Sequence, residues 1–194
     1  MKFLAIDTSA EYLSVCAYAD GKREIFFSPD CARAHSVRLS AEIDGVLRRA
    51  KLAVKDLDFL AVAVGPGSFT GIRIGVATVK GLCLAAEKRA LAVTSFDALA
   101  YAETEPLLAL IDAGHGCNYA CGYGENHEVA LSPRFLTADE TEALLQEGWR
   151  AVRFPKADPA EGLINAAIAK CGEAADAEKL TALYLRKSSA EEKR

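Results

Sequence analysis

The sequence predicts an α/β fold built from two similar lobes, and three observations predict it. Short apolar runs alternate with stretches of helical period, tight turns join the first runs, and the same order restarts after Pro106. With 194 residues and 51% hydrophobic content, the chain can bury one substantial core or two small ones. Phe3 to Asp7, Leu13 to Ala19 and Ile25 to Ser28 read as an antiparallel meander, the last two joined at Asp20-Gly21. A helix is predicted from His35 or Ser36, with Leu39, Ile43, Val46, Leu47 and Ala50 on one face. A strand over 59–64, a glycine turn, a helix over 70–87 capped by Thr70 and a strand over 91–94 follow. An antiparallel start followed by helical crossovers requires a mixed sheet with helices on it. The second lobe repeats the plan with strands at 107–112, 117–123 and 127–136, a helix near 138–147, a strand at 149–154 and a helix near 159–171. The expected division is 1–100 and 101–194, with a hinge near 97–106. The tail is expected to return to the first lobe and to fray over Arg186–Arg194.

Composition excludes several classes. A net charge of −4 argues against unaided, tight binding to nucleic acid, which needs a basic face. No run of about 18 apolar residues is present, so no membrane span is expected. The start is too short and too soon acidic for a signal peptide. Six cysteines lack the regular spacing of a disulfide scaffold, and a cytoplasmic protein is expected. The helix at 70–87 has almost no polar face beyond Arg73, Lys80 and Glu87. One side suits a sheet, and the other needs the helix at 35–50 or another protein's helices.

The most informative string runs from Val64 to Gly75, Val-Gly-Pro-Gly-Ser-Phe-Thr-Gly-Ile-Arg-Ile-Gly. It reads as strand, glycine turn and helix, a turn whose free N–H groups suit a phosphate or carboxylate. With Ala5-Ile6-Asp7-Thr8-Ser9 and His35-Ser36-x-x-Leu39, it resembles the bacterial TsaB (YeaZ) family. That family supplies the partner subunit of the complex that makes N6-threonylcarbamoyladenosine at position 37 of tRNAs. The resemblance is close over residues 2–100 and continues weakly through Ile111-Asp112-Ala113 and Tyr184-Leu185-Arg186. It implies the actin/sugar-kinase/Hsp70-like (ASKHA) fold of two β-β-β-α-β-α lobes. It also implies a non-catalytic, activating subunit that pairs with a TsaD-type catalytic paralogue through the two apolar helices. Leu39, Ile43, Val46, Leu47, Ile72, Val76, Val79 and Leu82 are the expected interface residues. A TsaE-type ATPase, tRNA reached through the complex, and a homodimer in the paralogue's absence complete the expected partners, with no membrane.

Within that fold, Asp7, Thr8 and Ser9 stand where the first phosphate-binding turn belongs, and Asp7 where Mg²⁺ would be positioned. The same residues also suit an Asx-type turn with no ligand, so any ATP or ADP is expected to bind weakly, in the assembled complex. The catalytic relative carries a metal-binding His-x-x-x-His whose positions fall here at Ser95 and Leu99. Leucine cannot coordinate a metal and a serine hydroxyl is a poor ligand, so no metal site is expected. His35 reads as a capping or structural residue. His115, Cys117 and Cys121 would share a strand face but supply only three ligands. Gly114 and Cys117 stand where the family usually has arginine and an acidic residue. Ser68 lies outside a Gly-x-Ser-x-Gly elbow, so no catalytic residue is expected. The rival readings are a nucleotide-dependent transferase or hydrolase acting alone, and a module that senses nucleotide without turnover.

Overall fold

In the computed structural model, which describes residues 1–31, 34–154 and 159–186, two mixed sheets carry five α-helices. The tail beyond Arg186 lies outside the described residues. Strands β1 (Lys2–Asp7), β2 (Leu13–Ala19) and β3 (Lys22–Ser28) form the meander. Helix α1 (His35–Ala50) leads to β4 (Phe59–Ala63), and α2 (Phe69–Ala86) leads to β5 (Arg89–Val93). The sheet order is β3-β2-β1-β4-β5, antiparallel at the meander and parallel across β1, β4 and β5. A short helix, α3 (Ser95–Ala100), occupies the segment read as a plain hinge. The second lobe runs β6 (Leu107–Gly114), β7 (Cys117–Tyr123), β8 (Val129–Leu136), α4 (Ala138–Gln146), β9 (Ala151–Val152) and α5 (Pro159–Ala169), with sheet order β8-β7-β6-β9. The two lobes thus share one β-β-β-α-β-α plan.

The first sheet is buried on both faces, which is why β1 and β4 read as unbroken apolar runs. Leu4, Ile6, Leu60 and Val62 point to one face, where Leu39, Ile43, Val46 and Leu47 of α1 and Val79 and Cys83 of α2 meet them. Phe3, Ala5, Phe59 and Ala61 point to the other, against Leu163, Ile164 and Ala167 of α5. Helix α5 follows the second sheet in sequence but covers the first. The second sheet packs Leu107, Ala109 and Tyr123 on Phe96 and Leu99 of α3, and turns Leu108 and Leu110 toward Leu144 and Leu145 near the end of α4.

Helix α2 begins one residue earlier than predicted. Its cap is Ser68, not Thr70: the Ser68 hydroxyl accepts from Gly71 N–H at 3.2 Å. By length and composition this helix is apolar enough to cross a membrane. Its Ile72, Gly75, Val79 and Cys83 lie buried in the fold, and its opposite side is exposed at Arg73, Ala77, Gly81 and Leu84.

The glycine string places α2 against the turn after β1. A Cβ on Gly67 would overlap the Ser9 carbonyl oxygen, and one on Gly71 the Thr8 carbonyl oxygen. Gly71→Ala should therefore lower stability by about 1–3 kcal/mol, the usual cost of overpacking a fitted core. Gly81→Ala, where a Cβ meets nothing within 4 Å, should raise it by about 0.5–1 kcal/mol through helix propensity. Urea denaturation of both variants checks the contrast, and equal effects would refute the packing role of Gly71.

Candidate functional site: the cleft between the sheets

A cleft of about 880 Å³ opens between the sheets, lined by Ser9, Tyr12, Ser68, Ser95, Asp112 and Asn118 among others. Its floor is the turn Asp7-Thr8-Ser9, and the bonding of that turn decides what it can do. Asp7 Oδ1 accepts from Ser9 N–H at 2.7 Å, an Asx turn, and Oδ2 accepts from Tyr12 Oη at 2.8 Å. The Thr8 hydroxyl donates to the Gly71 carbonyl at 2.7 Å. Ser68 N–H donates to the Ser9 carbonyl at 2.6 Å. Each group that a phosphate or Mg²⁺ would need is already bonded inside the protein. Burial pushes the Asp7 carboxyl above its ordinary 3.8, against the downward pull of the Ser9 and Tyr12 bonds. A carboxylate so enclosed is a poor metal ligand. Only the Ser9 and Ser95 hydroxyls, bonded to each other at 2.9 Å, face the cleft.

The other candidates resolve as follows. Ser95 and Leu99, at the positions of the relative's histidine pair, both line the cleft, and Leu99 presents only carbon. His35 is structural: its Nε2 meets the Tyr12 carbonyl at 2.9 Å, so that nitrogen carries the proton. His115 sits in the exposed β6–β7 turn and Cys117 is half-buried. Cys121 is buried on the second sheet, and desolvation pushes its thiol up to about 11. Among the described residues, no three His, Cys, Asp or Glu side chains converge as a metal site.

The expected interface residues need a correction. Leu39, Ile43, Val46, Leu47, Ile72 and Val79 are all at most 5% exposed, packed under α1 and α2 in the core. Helical period located an apolar face correctly, but that face meets the sheet. Val76 and Leu82 are half-buried, and the exposed side of α2 carries Arg73, Ala77, Gly81 and Leu84, the last 65% exposed.

Two groups went unrecognised in the sequence. Asp97 accepts from Thr94 of its own capping box, from Tyr123 Oη and from Lys170 Nζ, the last two at 2.9 Å. It thereby ties α3, the second sheet and the end of α5 into one wall of the cleft. The Thr94-x-x-Asp97 spacing was the available signal. The other group is the final segment, where Leu183 N–H donates to Val64 O at 2.8 Å, beside the glycine turn.

Comparison with known proteins agrees with this geometry. The family described as TsaD, tRNA N6-adenosine threonylcarbamoyltransferase, matches residues 27–191. The Escherichia coli tRNA threonylcarbamoyladenosine biosynthesis protein TsaB is 32% identical over 184 residues, covering 84% of this chain and 78% of that protein. The chain belongs to the TsaB (YeaZ) family. The TsaB protein of Bacillus subtilis is also 32% identical, over 79% of this chain and 70% of its own length. YeaZ from Pseudomonas aeruginosa superposes with a TM-score of 0.80 at 28% identity, covering 95% of this chain and 99% of that one. TsaB membership and the two-lobed topology agree on an ASKHA-like architecture.

The raised Asp7 carboxyl has a consequence for stability. Between 3.8 and its raised folded value, the folded chain holds a proton that the unfolded chain has lost, so stability falls as pH rises through that window. Asp7→Asn keeps both bonds, accepting from Ser9 and donating to Tyr12, and should remove this fall. Urea melts between about pH 4 and 7 check it. An unchanged pH slope would show that Asp7 is not the buried acid responsible.

Proposed function

We propose that this chain is the non-catalytic, activating subunit of a tRNA N6-adenosine(37) threonylcarbamoyltransferase complex. Its family comprises tRNA threonylcarbamoyladenosine biosynthesis proteins. One observation carries the finer reading: the phosphate turn of the fold is consumed by internal bonds, and the cleft wall presents Ser95 and Leu99 where the catalytic relative has histidines. Such a donor set cannot hold a metal or activate a nucleophile. What the chain does offer is surface.

In this reading the exposed side of α2, with the half-buried Val76 and Leu82 at its margins, receives a TsaD-type catalytic paralogue. A TsaE-type ATPase joins the assembly, tRNA is reached through it, and the complex works in the cytoplasm. Without the paralogue the same face pairs two copies of this chain. Adenine nucleotide binds weakly, in the cleft and in the assembled complex, because only Ser9 and Ser95 remain to receive it.

Two measurements test the proposal. Isolated protein should hold no stoichiometric metal and release no phosphate from ATP above background; one tightly held metal with turnover would contradict it. Co-expression with the host's TsaD-type paralogue should yield a stable complex. Leu84→Glu should remain folded and bind the paralogue about 10- to 100-fold more weakly, the worth of one buried leucine. Val79→Glu, whose site is fully buried against the sheet, should not fold. If Leu84→Glu and Val76→Glu both retain the paralogue at full affinity, the interface lies elsewhere.

A further inference from the structure

Helix α2 carries its terminal charges in the wrong sense. Backbone dipoles make the start of a helix positive and its end negative, so acids suit the start and bases the end. Here the first turn has no acid and the last turn no base. Arg73 instead projects back over the first turn, its guanidinium carbon 3.7 Å from the Phe69 ring centroid. Glu87, the left-handed cap with φ 53°, closes the far end and is exposed. Neither residue forms an ion pair among the described residues.

The guanidinium is also held in place. Its Nε donates to Tyr184 Oη at 3.3 Å, and the Tyr184 ring packs 4.8 Å from Phe69. Tyr184 is set there by the bond from Leu183 N–H to the strand end at Val64. An arginine fixed on an aromatic face loses little freedom on meeting a carboxylate, which favours it as an interface anchor.

Arg73 and Glu87 are fourteen residues apart, about 21 Å along the axis and on nearly the same side of the helix. Between them the exposed side carries Ala77, Gly81 and Leu84. Lys80 is drawn aside, its Nζ 3.4 Å from the Glu178 carbonyl. We propose that two copies of this chain pair through antiparallel α2 helices about a two-fold axis at Lys80, with each Arg73 clasping Glu87 of the other copy. The small residues near the axis let the helices approach closely. Each wrong-sense charge then meets its opposite, and the two helix dipoles oppose. This geometry rests on the proposed use of the α2 face, and it identifies the second copy as the occupant when no paralogue is present.

Charge reversal tests it on the isolated full chain, by sedimentation across a concentration series. Arg73→Glu and Glu87→Arg should each weaken the dimer at least about tenfold. The double variant, which restores opposite charges across the interface, should recover most of that loss. Each single reversal places a charge that suits the helix dipole, so its melting temperature should not fall and unfolding cannot explain a lost dimer. A monomeric native chain, single variants that dimerise normally, or a double variant no better than the singles would overturn the pairing. If the reversals do nothing while Leu84→Glu still abolishes paralogue binding, this geometry is wrong and the proposed function stands.

Discussion

Everything in the first lobe depends on one backbone contact, the turn at Thr8-Ser9 against the start of α2. Two carbonyl oxygens lie where side chains at Gly67 and Gly71 would have to be, so only glycine permits the approach. The Thr8 hydroxyl bonds the Gly71 carbonyl, and Ser68 N–H bonds the Ser9 carbonyl. That approach fixes the start of α2, and with it which side of α2 meets the sheet and which stays exposed. It also forms the floor of the cleft.

The same contact explains how a fold that suits phosphate transfer can serve as a subunit. A phosphate turn needs free N–H groups and an accessible carboxylate. Here the turn closes on itself through the Asx bond and on α2 through Thr8, and Asp7 is sealed beneath Tyr12. What remains exposed is a helix side of small and apolar residues with a charge at each end. Catalytic groups are missing from the cleft and recognition groups are present on the surface, and a partner subunit needs that arrangement.

Most of the fold was legible in the sequence. The β1 to β5 order, α1 and α2 followed from apolar period and turn chemistry to within a residue or two, because both faces of the first sheet are buried and its strands are strongly marked. Helix α3 was missed because six residues give too little period, although Thr94-x-x-Asp97 announced a helix start. Thr70 was taken for the cap that Ser68 provides, since two hydroxyls stand two residues apart and only backbone geometry separates them. The site was less legible. Period identified Leu39, Ile43, Val46, Leu47, Ile72 and Val79 as an apolar face, but it cannot say whether a sheet or a partner covers it. The Tyr12–Asp7 bond and the placing of Tyr184 beside Arg73 are long-range contacts that no local pattern encodes.

The central claim is that the chain acts through its surface while its phosphate turn serves only the fold. It is tested most directly by threadlycarbamoyl transfer to tRNA in a reconstituted complex of this chain, the catalytic paralogue and the ATPase. Omitting the chain should abolish transfer, and Asp7→Asn, folded and complexed, should transfer at the native rate. A folded, complexed Asp7→Asn with transfer reduced about a hundredfold, the scale of a lost acid–base group, would place chemistry in this chain and contradict the account.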